Sequence, residues 1–242
     1  MREAPYLALL LDYDGTLAPF ANLPELAAPD SSLIELLRAL AARPRTEVHV
    51  TSGRSRADLE RWFGALPVGL HAEHGLWSRP PGSASEWSSR CTPSTEWRDR
   101  VRPVLEHFSA RTPGAFVEEK TASLAWHYRR VEPELADRRA QELELRLQEV
   151  LGEAPAEVIA GAKVIELRPR GVNKGMVVPP LAAAMPAGAL IVALGDDRTD
   201  EDLFAALPPS AIAIHVGPGP SLAAFRLAGV AEARQLLSEL VA

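Results

Sequence analysis

Hydrophobic positions fall in short blocks along this chain, and their spacing changes from block to block. Residues 6–11 (Tyr-Leu-Ala-Leu-Leu-Leu) are continuously apolar and stop on Asp12, the pattern of a strand buried on both faces. Residues 31–42 carry apolar side chains at helical spacing, with Ser31 or Ser32 as the N-cap. A strand is predicted at 46–50, a helix opened by Ser55 over 55–63, and a further strand and turn at 68–75. Strand, helix, strand, helix, strand is the alternation that builds a parallel sheet with helices on its faces.

The pattern then shifts. Residues 78–96, rich in Ser, Pro and Gly, read as a loop, and a helix is expected at about 97–110. Residues 116–120 and 123–128 read as two strands joined at Thr121-Ala122, an antiparallel hairpin. A long helix at 133–151 and two strands around Gly161 complete a small α+β module. The α/β pattern resumes with a helix beginning near Lys174, a strand at 189–194 that breaks into an acidic turn, a helix at 200–206, a strand at 211–216 and a closing helix near 231–241. The expected fold class is therefore α/β: a Rossmann-like core with a parallel sheet, helices on both faces and a small inserted α+β domain. The expected division is 1–103 and 172–242 for the core and 104–171 for the insert.

Composition narrows the classes of function. The 242 residues are 47% hydrophobic and 24% charged, enough to bury a sizeable core. A net charge of −6 with no basic run argues against nucleic acid as a partner. Cys91, the single cysteine, excludes an intrachain disulfide framework and a Cys-rich zinc site. The first apolar block is too short to span a membrane and ends at Asp12 and Asp14. A soluble cytoplasmic protein with no membrane partner is expected.

Candidate chemistry gathers at strand ends, where α/β sheets bind their ligands. Asp12 and Asp14 follow the first strand, and Gly15 permits a tight turn after them. One aspartate there could simply cap the turn. Two held close repel unless a cation or a proton joins them. Ser52 ends the second strand as a hydroxyl for a ligand or as a helix cap. Lys174 is a ligand-binding cation or a solvated surface residue. Asp196, Asp197 and Asp200 follow a later strand, at a site or only at a tight turn. Taken together these residues suit cleavage of a phosphate monoester: one carboxylate as nucleophile, a second as acid and base, and a hydroxyl and a lysine on the phosphoryl oxygens. Surplus carboxylates beside a phosphate call for a divalent cation, and an all-oxygen site suits Mg²⁺.

The strings DYDGT, TSGR, NKG and LGDDRTDEDLF occur in that order, and this resembles the four motifs of the haloacid dehalogenase-like phosphohydrolases. With HAEHG, VEEK…SLAWHYR and IELRP..VNKG, the chain resembles the trehalose-6-phosphate phosphatase branch from about residue 7 to 217. The resemblance implies Asp12 as nucleophile and Asp14 as general acid/base. It implies Mg²⁺ held by the Asp12 side chain, the Asp14 backbone carbonyl and Asp196. Asp197 and Asp200 would hold waters or orient Lys174, and Ser52 and Lys174 would bind the phosphoryl group.

The insert resembles that family's cap domain, which implies Glu118, Lys120 and Glu166 as sugar-binding residues. Read as bare sequence, Glu118-Glu119-Lys120 has a solvated strand end as its alternative. Glu166, between Ile165 and Leu167, turns away from the apolar face toward either a cleft or solvent. His74 borders the sugar or serves the turn at Gly75, Trp126 is expected in the cap core, and Arg54 braces the acidic site or opens a surface helix.

The implied activity is hydrolysis of trehalose 6-phosphate, with other sugar phosphates (sucrose phosphate, mannosyl phosphoglycerate) as alternatives. A phosphomutase or an inactive sugar-phosphate sensor is a further alternative. Some relatives carry this module fused to the synthase that makes the substrate. Here any coupling is expected to be a transient contact with a separate trehalose-6-phosphate synthase.

Overall fold

The first apolar block becomes strand β1 (Leu7–Asp12), with all six residues buried. In this computed structural model, which describes residues 1, 4–82 and 86–241, alternate β1 side chains enter two cores. Leu7, Leu9 and Leu11 join one, and Ala8 and Leu10 the other. Alternation is the period-two rule of a strand, and a fully buried leucine contributes about 1.5–3 kcal/mol. The chain continues through α1 (Ser31–Ala42), β2 (Thr46–Thr51), α2 (Arg56–Phe63) and β3 (Gly69–Ala72). The cap of α1 is Asp30, not Ser31 or Ser32: Asp30 is extended, and its Oδ1 accepts from the Leu33 amide at 2.8 Å. Both serines lie inside the helix, and the Ser32 hydroxyl donates to the Asp30 carboxylate. Ser55 caps α2 as expected, accepting from the Asp58 amide.

The stretch 78–96 is not all loop. It overlaps β4 (Trp77–Arg79) and holds the two-residue β5 (Ser88–Ser89), paired antiparallel, while residues 83–85 of that stretch lie outside the described residues. Strands this short carry too few side chains to show a period. The next elements are α3 (Arg98–Ala110), the hairpin β6 (Phe116–Glu119) and β7 (Leu124–His127), α4 (Pro133–Leu151), β8 (Ala156–Gly161) and β9 (Val164–Pro169). The chain ends with a 3₁₀ turn at Lys174–Val177, α5 (Val178–Ala184), β10 (Leu190–Gly195), α6 (Arg198–Ala205), β11 (Ile212–Val216), β12 (Phe225–Leu227) and α7 (Val230–Glu239).

Two compact units result: Met1–Arg90 with Asn173–Ala242, and Cys91–Val172. The second begins well before the expected edge at 104, because that edge falls inside α3. Val101 and Leu105 of this helix share one core with Trp97, Leu124, Trp126 and Leu167, so α3 belongs wholly to the second unit.

In the first unit eight strands run in the order β12-β11-β10-β1-β2-β3-β4-β5. Those from β12 to β3 are parallel, and β4 and β5 are antiparallel. One face packs Leu33 and Leu37 of α1, Phe63 of α2 and Leu237 of α7, while the other packs Leu181 of α5 and Leu203 of α6. The chain leaves β1 toward β2 on one side, and β10 lies on the other. The carboxyl ends of β1 and β10 therefore flank a topological switch point.

The second unit is an antiparallel sheet, β6-β7-β9-β8. Its apolar face (Val117, Leu124, Trp126, Ile165, Leu167) packs with side chains of α3 and α4. No described helix is long and apolar enough to cross a membrane.

Candidate active site

Strand register puts the motif residues side by side. Asp12 ends β1 opposite Thr51 of β2, so Ser52 follows on the neighbouring strand, and Gly195 ends β10 on the other flank of β1. Lys174 is buried, and its Nζ donates to Asp12 Oδ1 at 2.6 Å and to Asp200 Oδ1 at 2.8 Å. The solvated-surface alternative for this lysine is thereby excluded. Asp12, Asp196 and Asp200 each place a carboxylate oxygen within 4.8 Å of the others. Gly15 has φ +89°, and a Cβ on it would stand 2.1 Å from Asp196 Oδ2. The tight turn therefore also makes room for the acidic loop. Thr16, given no role by the sequence reading, donates its hydroxyl to Asp196 Oδ1 at 3.1 Å. Its place directly after Asp-x-Asp-Gly was the available signal.

The acidic turn sorts its carboxylates by what they hold. Asp197 caps α6, accepting from the Thr199 amide at 2.8 Å and its hydroxyl at 2.7 Å. Asp200 Oδ2 accepts from the amides of Asp196 and Asp197, and its Oδ1 takes Lys174. Both oxygens of Asp200 are thus committed to shaping the turn and aiming the lysine. Asp12 Oδ2, by contrast, is buried and meets no hydrogen-bond donor among the described residues.

Burial and neighbouring charge together shift the titration of these groups. Burial, and then the carboxylates of Asp196 and Asp197, push Asp12 upward against the pull of Lys174. Burial with the Asp197 and Asp200 charges pushes Asp196 up to about 7. Lys174 is held charged, well above its ordinary value, because Asp12 and Asp200 outweigh its desolvation. Four carboxylates (Asp12, Asp196, Asp197, Asp200) face one ammonium, so the cluster has negative charge in excess. An oxygen-only donor set with a donorless buried oxygen fits a hard divalent cation.

Asp14 is turned to a different partner. Arg54 Nε and Nη2 donate to its Oδ2 and Oδ1 at 2.8 and 2.7 Å, and Nη1 donates to the Pro24 carbonyl at 2.7 Å. The guanidinium lies 4.9 Å from the Trp62 ring centroid. Ser52 is buried, and its Oγ accepts from the Arg54 amide at 3.1 Å. Ser52 thus supports its own loop while standing beside the cluster. His74 is buried, with φ +58°, and its amide donates to the Ser52 carbonyl at 3.0 Å. A Cβ on Gly53 would lie 2.7 Å from the His74 ring, so His74 packs directly on the Ser52 loop.

The second unit gathers its own polar group. Lys120 Nζ and Ser123 Oγ donate to Glu166 Oε1 at 3.0 and 2.9 Å. Glu166 is buried at 8% exposure, so its departure from the apolar face does not lead into open solvent. Glu118 Oε2 meets His127 Nε2 at 2.7 Å. Trp126 is fully buried in the core, its Nε1 bonded to Ser109 Oγ.

The fold is one shared with haloacid dehalogenase-like hydrolases. One such hydrolase from B. subtilis has a TM-score of 0.60 at 15% identity, covering 96% of this chain and 99% of that one. Within that class the family is specific: the trehalose-phosphatase family model matches residues 10–229, and the chain belongs to that family. A bifunctional trehalose-6-phosphate synthase/phosphatase of Thermoproteus tenax is 44% identical over 96% of this chain, which spans 31% of that protein's length. The trehalose-phosphatase of Saccharomyces cerevisiae is 37% identical over 84% of this chain and 25% of its own length. The C-terminal domain of C. albicans trehalose-6-phosphate phosphatase has a TM-score of 0.92 at 32% identity, covering 99% of this chain and 93% of that one.

Proposed function

We propose that this chain hydrolyses trehalose 6-phosphate to trehalose and phosphate through an aspartyl-phosphate on Asp12. The observation that carries the chemistry is Lys174, buried and bonded to both Asp12 and Asp200. It is a fixed positive charge beside a carboxylate whose second oxygen meets no donor among the described residues. In the first step an Asp12 oxygen bonds to phosphorus and the bond from phosphorus to the sugar oxygen breaks. Asp14 gives the leaving alkoxide its proton. In the second step a water oxygen attacks phosphorus, its proton passes to Asp14, and the Asp12–phosphorus bond breaks to release phosphate. Lys174 and Ser52 bind the non-bridging phosphoryl oxygens. Asp200 and Asp197 keep Lys174 and the acidic turn in place.

Mg²⁺ would be held by the Asp12 carboxylate, the Asp14 backbone carbonyl and Asp196, where it supplies charge for the phosphoryl group. The sugar half of the assignment rests on the second unit, read as a cap domain with Glu118, Lys120 and Glu166 on sugar hydroxyls. Its support is the identity with the Thermoproteus tenax and C. albicans phosphatases. The fused synthase of the former also supports a transient contact between this chain and a trehalose-6-phosphate synthase. A single exposed thiol, Cys91, suits a reducing, cytoplasmic compartment.

Phosphate release from a panel of sugar phosphates, with Mg²⁺ and with EDTA, tests the proposal. Trehalose 6-phosphate is expected to lead, and a competitor favoured by about tenfold in kcat/KM, roughly 1.4 kcal/mol, would displace it. Asp12→Asn is expected to abolish release, and turnover surviving that change would rule out the covalent route.

A further inference from the structure

The sheet of the second unit has one apolar face and one polar face, and a contact on the polar face has no part in the phosphoryl chemistry. His127 Nε2 and Glu118 Oε2 lie 2.7 Å apart. Phe116 stacks on the same imidazole, with ring centroids 4.8 Å apart and planes 15° from parallel. Register explains how three residues meet. Phe116 and His127 are directly opposed on β6 and β7, while Glu118 is opposed by Ala125. His127 therefore reaches Glu118 along the diagonal, over the small Ala125 side chain.

The side chains of His127 and Glu118 are 21% and 24% exposed. The pair is largely buried but still reached by solvent, so the contact leaves the carboxylate open to a ligand. It also fixes a ligand group. A free glutamate must surrender rotamer entropy to bind, whereas one already held by a stacked imidazole has surrendered it on folding. Lys120 is treated in the same way nearby, since Glu166 Oε1 accepts from both its Nζ and Ser123. Burial raises the Glu118 carboxyl, but the His127 hydrogen bond and the Lys120 charge outweigh that and hold it below its ordinary value. Glu118 is thus a carboxylate, an acceptor for hydroxyl groups.

We propose that His127, braced by Phe116, is a positioning residue for Glu118: it engages Oε2 and holds Oε1 for a hydroxyl of the sugar half of the substrate. This rests on the reading of Glu118 as a sugar-binding residue. His127 touches no reacting atom, so its effect is on substrate affinity.

The test is steady-state kinetics of the full chain with trehalose 6-phosphate and Mg²⁺. The variants are His127→Phe, His127→Gln, Glu118→Gln, Phe116→Leu and the double variant of His127→Phe with Glu118→Gln, each with a melting curve. His127→Phe keeps a ring on Phe116 but loses the hydrogen bond. It is expected to raise KM about tenfold and lower kcat by less than about threefold. His127→Gln, which retains an N–H donor, is expected to recover most of that KM, and Phe116→Leu to raise KM about threefold. Added to Glu118→Gln, the His127→Phe change is expected to cost no more than about twofold further, because its partner is already altered.

A folded His127→Phe with KM within twofold of wild type overturns the proposal, as does an effect that multiplies fully with Glu118→Gln. If His127→Phe does not fold, a folded Phe116→Leu or His127→Gln is decisive, and unchanged KM in Phe116→Leu overturns the bracing. If the wild-type chain ignores trehalose 6-phosphate but hydrolyses another sugar phosphate, the substrate assignment fails and the same comparison is made on that compound. If it hydrolyses none, both fail together.

Discussion

Arg54 grips Asp14 with two parallel N–H···O bonds of 2.8 and 2.7 Å, and its third arm reaches the Pro24 carbonyl. The fork links the turn after β1 to the loop after β2, since the Arg54 amide also donates to Ser52. Both Asp14 oxygens accept, so a proton on one of them weakens the bond Arg54 donates to that oxygen. The proposed acid step therefore includes a partial release from Arg54.

Arg54→Lys keeps the charge and loses the fork, and the two cations are not interchangeable at a bidentate site. It is expected to lower kcat on trehalose 6-phosphate by roughly tenfold to a hundredfold, because Asp14 is no longer aimed. Melting curves check that the fold is intact. Activity within twofold of wild type would mean that charge alone suffices.

Lys174→Met replaces the buried ammonium by an apolar chain of similar length. Asp12 and Asp200 then lose their shared partner. Breaking a buried pair in this way costs roughly 3–5 kcal/mol. Urea unfolding in EDTA is expected to show a loss of that order, and phosphate release is expected to disappear.

Excess negative charge in the cluster is expected to make stability depend on a cation. Mg²⁺ at about a hundred times its Kd is expected to add about 2.7 kcal/mol, a rise of roughly 5–10 °C in melting temperature that EDTA reverses. Asp196→Asn is expected to remove most of that rise. Asp200→Asn is expected to lower stability yet retain a Mg²⁺ response, because Asp200 spends its oxygens on Lys174 and two amides.

Acid stability is expected to depend on a histidine away from the carboxylates. His71 is buried, with Nε2 3.1 Å from His49 Nδ1 and Nδ1 2.9 Å from Ser78 Oγ. Burial, then the charges of His49 and Arg90, holds His71 well below its ordinary value in the folded chain. Between that value and about 6.5, the unfolded chain binds a proton that the folded chain does not. Stability contributed by neutral His71 is thus complete above about pH 6.5 and falls as pH drops, by at most about 1.4 kcal/mol per pH unit. Urea unfolding at pH 5 and pH 7.5 is expected to show the loss. His71→Gln is expected to flatten it, and an unchanged slope would assign acid sensitivity elsewhere.

Local order was plain in the chain. The unbroken apolar run at 6–11 read as a strand buried on both sides and forms one from Leu7, and the predicted hairpin pairs across Thr121-Ala122. Other features depended on too little sequence to be seen. β4, β5 and β12 are two or three residues long, below the length at which alternation can be recognised. The start of the second unit was hidden because α3 is amphipathic whichever core it faces. Packing in one core with Leu124, Trp126 and Leu167 assigns it.

By itself the sequence determined which residue types stand near the ends of elements and in what order: Asp12 and Asp14, Ser52, Lys174, then Asp196, Asp197 and Asp200. That is enough to propose the chemistry, because the nucleophile, cation and acidic turn it needs are properties of side chains and spacing. Tertiary structure decided how those side chains are shared. It gave Asp14 to Arg54, Asp200 to Lys174, Thr16 to Asp196 and Glu118 to His127. Three of these pairings span between 26 and 180 residues, and the fourth crosses a hairpin. A hydrogen bond of about 2.8 Å is set by how strands register and helices pack, which no local pattern encodes.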